Sequence, residues 1–218
     1  MARTSGEDSK PGARRATAVA AADKKRPGLR NTVRIIGGDW RGRRIRFPPV
    51  AALRPTPDRL RETLFNWLQG AVAGAGCLDL FAGSGALGLE ALSRGARECV
   101  FVEREPAVAA ALAATVTMLD DRRSALVTGD AFRFLAGAAR PFDLVFLDPP
   151  FTRGWLPELC TLLEQRGWLA PRAFVYLEGA ARDGAVALPA SWQALRTTRA
   201  GEVQGLLARR AGEQTDET

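Results

Sequence analysis

Four carboxylates, Asp79, Glu103, Asp130 and Asp148, stand at or near the ends of short apolar runs in this chain. Carboxylates so placed can accept hydrogen bonds from the hydroxyls and amines of a ligand. Asp148 is followed by Pro149, Pro150 and Phe151. Two prolines cannot continue a central strand, and they fix an extended backbone. The Asp148 carboxylate and the Pro149 carbonyl can then converge on one planar amine, take both its hydrogens and turn its nitrogen toward an electrophile. Phe151 offers a ring on which a base can stack. Earlier in the chain, Cys77-Leu78-Asp79-Leu80 runs into Phe81-Ala82-Gly83-Ser84-Gly85-Ala86-Leu87-Gly88. Glycines between a strand and a helix let the backbone turn sharply and let a ligand reach the free N–H groups of the helix start.

The elements that must hold these residues alternate. Apolar runs at 77–80, 98–103, 126–128, 142–147 and 173–178 read as strands, and 105–119 and 156–163 read as helices. Alternation of this kind implies right-handed crossovers and a parallel sheet covered on both faces, with ligands at the carboxyl ends of its strands. Residues 192–198 and 203–209, around Gly201, read as an antiparallel hairpin closing the sheet.

Ahead of that domain, Val33, Ile35 and Ile36 lead to Gly37-Gly38, and Ile45 and Phe47 follow a basic turn. The pattern predicts a hairpin on which Arg34, Trp40, Arg41, Arg43, Arg44 and Arg46 combine positive charge with one aromatic plane, as an RNA-contacting surface does. Pro55-Thr56-Pro57-Asp58 then opens a helix with Leu60, Leu64, Phe65 and Leu68 on its apolar face, and Thr56 or Asp58 as its cap. Arg54, Arg59 and Arg61 line its beginning and face substrate, cofactor or solvent. Residues 1–30 lack large apolar side chains and read as a disordered basic tail. The expected organisation is that tail, a hairpin and helix over 31–70, a main domain over 71–211 and a frayed end over 212–218.

A net charge of +7 favours a polyanionic partner. The chain has no His, which excludes imidazole acid-base and Ser-His or Cys-His schemes. Cys77, Cys99 and Cys160 are odd in number and set in apolar surroundings, as reduced core thiols are, and no metal is expected. No apolar run reaches membrane-spanning length and no signal-peptide core is present, so a cytoplasmic protein is expected. Glu7, Asp8 and Asp23 weigh against a transit peptide, and nothing demands more than a monomer.

Asp79-Leu80-Phe81-Ala82-Gly83-Ser84-Gly85 together with Asp148-Pro149-Pro150-Phe151 resembles the class I methyltransferases that use S-adenosylmethionine on amino groups of nucleic-acid bases. Arg34-Ile35-Ile36-Gly37-Gly38, Trp40-Arg41-Gly42-Arg43, Arg54-Pro55-Thr56-Pro57-Asp58-Arg59 and the run from Arg61 through Leu68 are similar to the bacterial 16S ribosomal RNA guanine-N2 methyltransferase family. The resemblance implies a Rossmann-like α/β fold with a mostly parallel seven-stranded sheet and a closing antiparallel hairpin. It implies that Asp79, Phe81, Gly83, Ser84, Gly85, Glu103, Asp130, Ala131 and Phe132 bind S-adenosylmethionine, and that Asp148, Pro149, Pro150 and Phe151 hold a flipped guanine. The hairpin and Arg54, Arg59 and Arg61 would grip 16S ribosomal RNA, free or within a small-subunit particle.

The residues alone leave three competitors. G-x-G-x-x-G followed by an acid also describes a nicotinamide oxidoreductase, although the missing His, the solitary Tyr176 and the lack of a second substrate domain oppose it. The proline-flanked acid would equally accept an adenine or a protein amide. A non-catalytic RNA-binding assembly factor would need only the basic surface.

Overall fold

In this computed structural model, residues 31–49 and 56–212 are described. The expected tail at 1–30, all of the expected 212–218 end except Gly212, and Arg54 lie outside them.

Short apolar runs punctuated by glycine give the strands. The chain order is β1 (Thr32–Arg34), β2 (Arg44–Arg46), α1 (Asp58–Trp67), β3 (Gly76–Asp79), α2 (Ala86–Ser93), β4 (Glu98–Glu103), α3 (Pro106–Met118), β5 (Ser124–Thr128), α4 (Ala131–Leu135), β6 (Phe142–Leu147), α5 (Leu156–Gln165), β7 (Leu169–Ala180), β8 (Trp192–Ala200) and β9 (Val203–Arg210). Of the nine strands among the described residues, the last seven build one sheet, in the order β5-β4-β3-β6-β7-β9-β8. From β5 to β7 neighbours run parallel, and β9 and β8 close the sheet antiparallel, as the sequence predicts. The order reverses between β3 and β6, which are direct neighbours. The crossovers leave β3 and β6 in opposite directions there, so a crevice opens at their carboxyl ends.

Each face of the sheet is covered. On one side Leu64 and Phe65 of α1, Leu68 just after it, and Leu89 and Leu92 of α2 pack with Cys77, Phe101, Phe146 and Tyr176. On the other, Leu135 of α4 and Leu156, Leu159 and Leu163 of α5 pack with Leu78, Val145, Val175 and Leu206. All three cysteines are free and buried, and burial pushes the Cys77 and Cys160 thiols up to about 12. No helix among the described residues is long and apolar enough to cross a membrane.

β1 and β2 pair antiparallel, with Val33 opposite Ile45. Alternation sends Val33, Ile35, Ile45 and Phe47 inward and leaves Arg34, Arg44 and Arg46 exposed. Ile35 and Ile45 join the same core as α1 and Tyr176, so residue 70 is not a packing boundary between the hairpin-helix segment and the main domain. Neither expected cap of α1 forms: Pro57 occupies the N-cap position without a side-chain bond, and Asp58 is paired with Arg61 instead.

Candidate active site

The glycine turn is built by three different requirements. Gly83 and Gly85 have φ of +52° and +76°, in the left-handed region where a side chain is strained. Gly88 faces β4, and a Cβ there would overlap the Phe101 ring and the Cys99 sulfur. The Asp79 carboxylate, 2% exposed, accepts the Gly88 N–H at 3.0 Å through Oδ2 and so ties the end of β3 to the first turn of α2. Burial raises its pKa to about 7, against the effect of that hydrogen bond.

At the end of β4, Glu103 is held from both sides. Its Oε2 accepts the Gly83 N–H at 2.8 Å and its Oε1 accepts the Glu105 N–H at 2.7 Å. Asp130 caps α4, its Oδ1 accepting from the Phe132 and Arg133 amides. Beyond β6, Pro150 leads into a single 3-10 turn at Phe151–Arg153. Burial drives the Asp148 pKa well above the ordinary carboxylate value, reinforced by the charges of Glu178 and Asp79.

These parts meet. One cavity of about 590 Å³ is lined by Asp79, Phe81, Gly83, Ser84, Glu103, Asp130, Ala131 and Asp148 through Phe151. Two of the expected residues stand back from it. Gly85 lies behind the turn, where a Cβ would meet Leu112 Cδ1 at 2.5 Å. The Phe132 ring packs edge-on against Trp155, with centroids 5.2 Å apart.

The basic residues divide more sharply. Arg34, Arg41, Arg43, Arg44 and Arg59 are exposed. Arg61 and Trp40 are not, and their expected place on an RNA surface is corrected. Arg61 is fully buried and reaches the Arg34 carbonyl at 2.9 Å, Asp58 at 2.6 Å and the buried Glu90 at 3.5 Å. Trp40 is 8% exposed and lies under the Arg123 guanidinium, which sits 5.4 Å from its ring centroid.

Several lining residues were not among the expected site residues. Thr56, Arg104, Arg153 and Trp155 reach the cavity, and Trp155 stacks on Phe81 with centroids 6.3 Å apart. Glu90, which accepts the Ile36 and Gly37 amides at 2.8 Å each, could have been suspected as the one acid inside the otherwise apolar run 86–92.

A seven-stranded sheet closed by an antiparallel pair, with its cavity at the β3/β6 reversal and carboxylates at its strand ends, defines a class I methyltransferase fold. Residues 33–209 match the family described as Conserved hypothetical protein 95. The chain is 48% identical over 171 residues to ribosomal RNA small subunit methyltransferase D of Escherichia coli K12, covering 78% of this chain and 86% of that protein. Its identity to the Haemophilus influenzae protein of the same name is 39% over 181 residues, covering 81% and 93%. The solved structure of yhhF from Escherichia coli aligns with a TM-score of 0.78 at 44% identity, covering 84% of this chain and all of that one. The chain belongs to the ribosomal RNA small subunit methyltransferase D family.

Proposed function

We propose that this protein transfers a methyl group from S-adenosylmethionine to the exocyclic N2 amine of a guanine in 16S ribosomal RNA. The observation that carries this reading is the single cavity shared by the glycine turn and the Asp148-Pro149-Pro150-Phe151 wall. S-adenosylmethionine supplies a methyl group on an electrophilic sulfonium.

The residues fit such a donor. Glu103 is fixed by two backbone amides and still has lone pairs for a ribose diol, and the Gly83 backbone comes close without a Cβ. Asp130, held by the α4 amides, can accept from the adenine amine. On the acceptor side, Asp148 and the Pro149 carbonyl take the two hydrogens of the guanine amine, which points its nitrogen into the cavity, while Phe151 stacks on the base. Catalysis comes from positioning, and no covalent enzyme intermediate is needed. Extruding the base costs a few kcal/mol, less from a loop than from a duplex. Arg34, Arg41, Arg43, Arg44 and Arg59 supply phosphate contacts.

Incubation with labelled S-adenosylmethionine and small subunits from cells lacking the enzyme, followed by nucleoside mapping, tests the reading. N2-methylguanosine is the expected product. Methyladenosine, or label in protein, would replace the substrate assignment. Salt-sensitive RNA binding with no label at all would replace the reaction itself.

A further inference from the structure

A buried acid lies beside the reacting wall, and the mechanism so far does not use it. β6 and β7 are parallel, with Leu147 opposite Leu177, so Asp148, the first residue past β6, stands beside Glu178, which is still within β7. Glu178 is 1% exposed. Two hydroxyls hold it: the Tyr176 hydroxyl donates to its Oε1 at 3.0 Å, and the Thr56 hydroxyl donates from the segment entering α1. Room for the tyrosine hydroxyl exists because the β9 residue opposite Glu178 is Gly205, whose added Cβ would stand 2.5 Å from that hydroxyl.

The charges that face Glu178 are few. Arg61 on α1 opposes it; Asp148 on β6 and Asp79 on β3 repel it in turn or through each other; β9 brings only Gly205 and the neutral Gln204. Two neighbouring carboxylates, one buried and one half-buried, with Arg61 opposing only Glu178, favour holding a proton. Consistent with this, burial raises Glu178 to about 7, and the Glu178 charge adds to the rise at Asp148.

The reading of the site as an amino-methyltransferase, on which this rests, leaves a proton to place. As the N–C bond forms and the sulfonium C–S bond breaks, the amine nitrogen gains a fourth bond and must release one proton. We infer that Glu178 is a positioning residue for this step: buried beside Asp148, it keeps that carboxylate basic enough to take the proton of the methylated amine. The Asp148 carboxylate must be ionised when the amine docks, so turnover rises with pH as it ionises. Without the Glu178 charge, Asp148 ionises at lower pH and is a weaker base.

The test is the pH profile of the single-turnover methylation rate on small subunits, for the wild type and Glu178→Gln. The wild-type rate should climb across the neutral range, above the ordinary carboxylate range. In Glu178→Gln the climb should move down by about one pH unit and the plateau should fall about threefold to tenfold, with S-adenosylhomocysteine affinity unchanged by calorimetry. A wild-type rate that is flat with pH, a variant profile lying on that of the wild type, or loss of S-adenosylhomocysteine affinity along with turnover would each overturn the role. A flat wild-type profile overturns the role even if the variant does not fold. If the wild type methylates nothing at any pH, the functional reading itself has failed, an outcome separable from an unshifted profile in an active enzyme.

Discussion

On the β3–β4–β5 side of the cavity, carboxylates are anchored by backbone amides: Asp79 by Gly88, Glu103 by Gly83 and Glu105, Asp130 by Phe132 and Arg133. On the β6–β7 side, Glu178 is anchored by the hydroxyls of Tyr176 and Thr56 and stands next to Asp148. Amide-anchored acids have fixed lone pairs, which suits holding a ligand in the same way before and after reaction. The hydroxyl-anchored Glu178 and its neighbour Asp148 repel each other, which suits the side where a proton must be received.

The largest test of this contrast is Asp148→Ala, expected to cut methyl transfer by about a thousandfold while S-adenosylhomocysteine affinity, measured by calorimetry, stays near that of the wild type. Equal losses in both would erase the distinction between the sides. Next comes Arg61→Ala, which strips the buried cation from Glu90 and Glu178; chemical denaturation should show a loss of about 3–5 kcal/mol. An unchanged unfolding midpoint, with RNA binding weakened, would return Arg61 to the RNA surface. Glu103→Ala should weaken S-adenosylhomocysteine by about tenfold or more, yet leave the rate at saturating donor within a few-fold.

A smaller effect is the pH dependence of folding. Asp79 is raised from 3.8 to about 7 and Glu178 from 4.5 to about 7, both first by burial. The folded state therefore binds protons more tightly than the unfolded chain, so the stability these groups contribute is complete below about pH 4 and is lost as pH rises through 7. Asp79→Asn should flatten the decline of the thermal midpoint between pH 5 and 8 (about the window these values span). Least of all, Arg43→Ala with Arg44→Ala should weaken RNA binding uniformly and lower its salt slope by about two, without touching stability.

Much of this was legible from residues alone, for identifiable reasons. The glycine turn, the strand-end acids and the proline-locked carboxylate announce themselves because their signals are local: each needs only a few consecutive residues. The hairpin was legible through its alternation. Its deeper assignments were not. Arg61 reads as a surface charge until Glu90 is known to lie against it, 29 positions further along and inside an apolar helix. Trp40, flanked by arginines, reads as a stacking platform, yet it docks through its own amide on Ser93 Oγ at 2.9 Å. α4 was missed because five residues hold too few turns to show a period. β7 starts earlier than its apolar core suggests, at Leu169, since Pro171 and the left-handed Arg172 (φ +65°) disguise its first part. Glu178 is the plainest case. A glutamate ending a strand is unremarkable until the register puts it beside Asp148.

Glu90 stands midway along α2, a helix of two turns that begins at the glycine bend and grips the hairpin through the Ile36 and Gly37 amides. The arginine-bearing arm and the donor's cradle thus hang from one short rod, like the two jaws of a calliper set to a single gap. Loosening Glu90 would therefore disturb the arm and the glycine bend together.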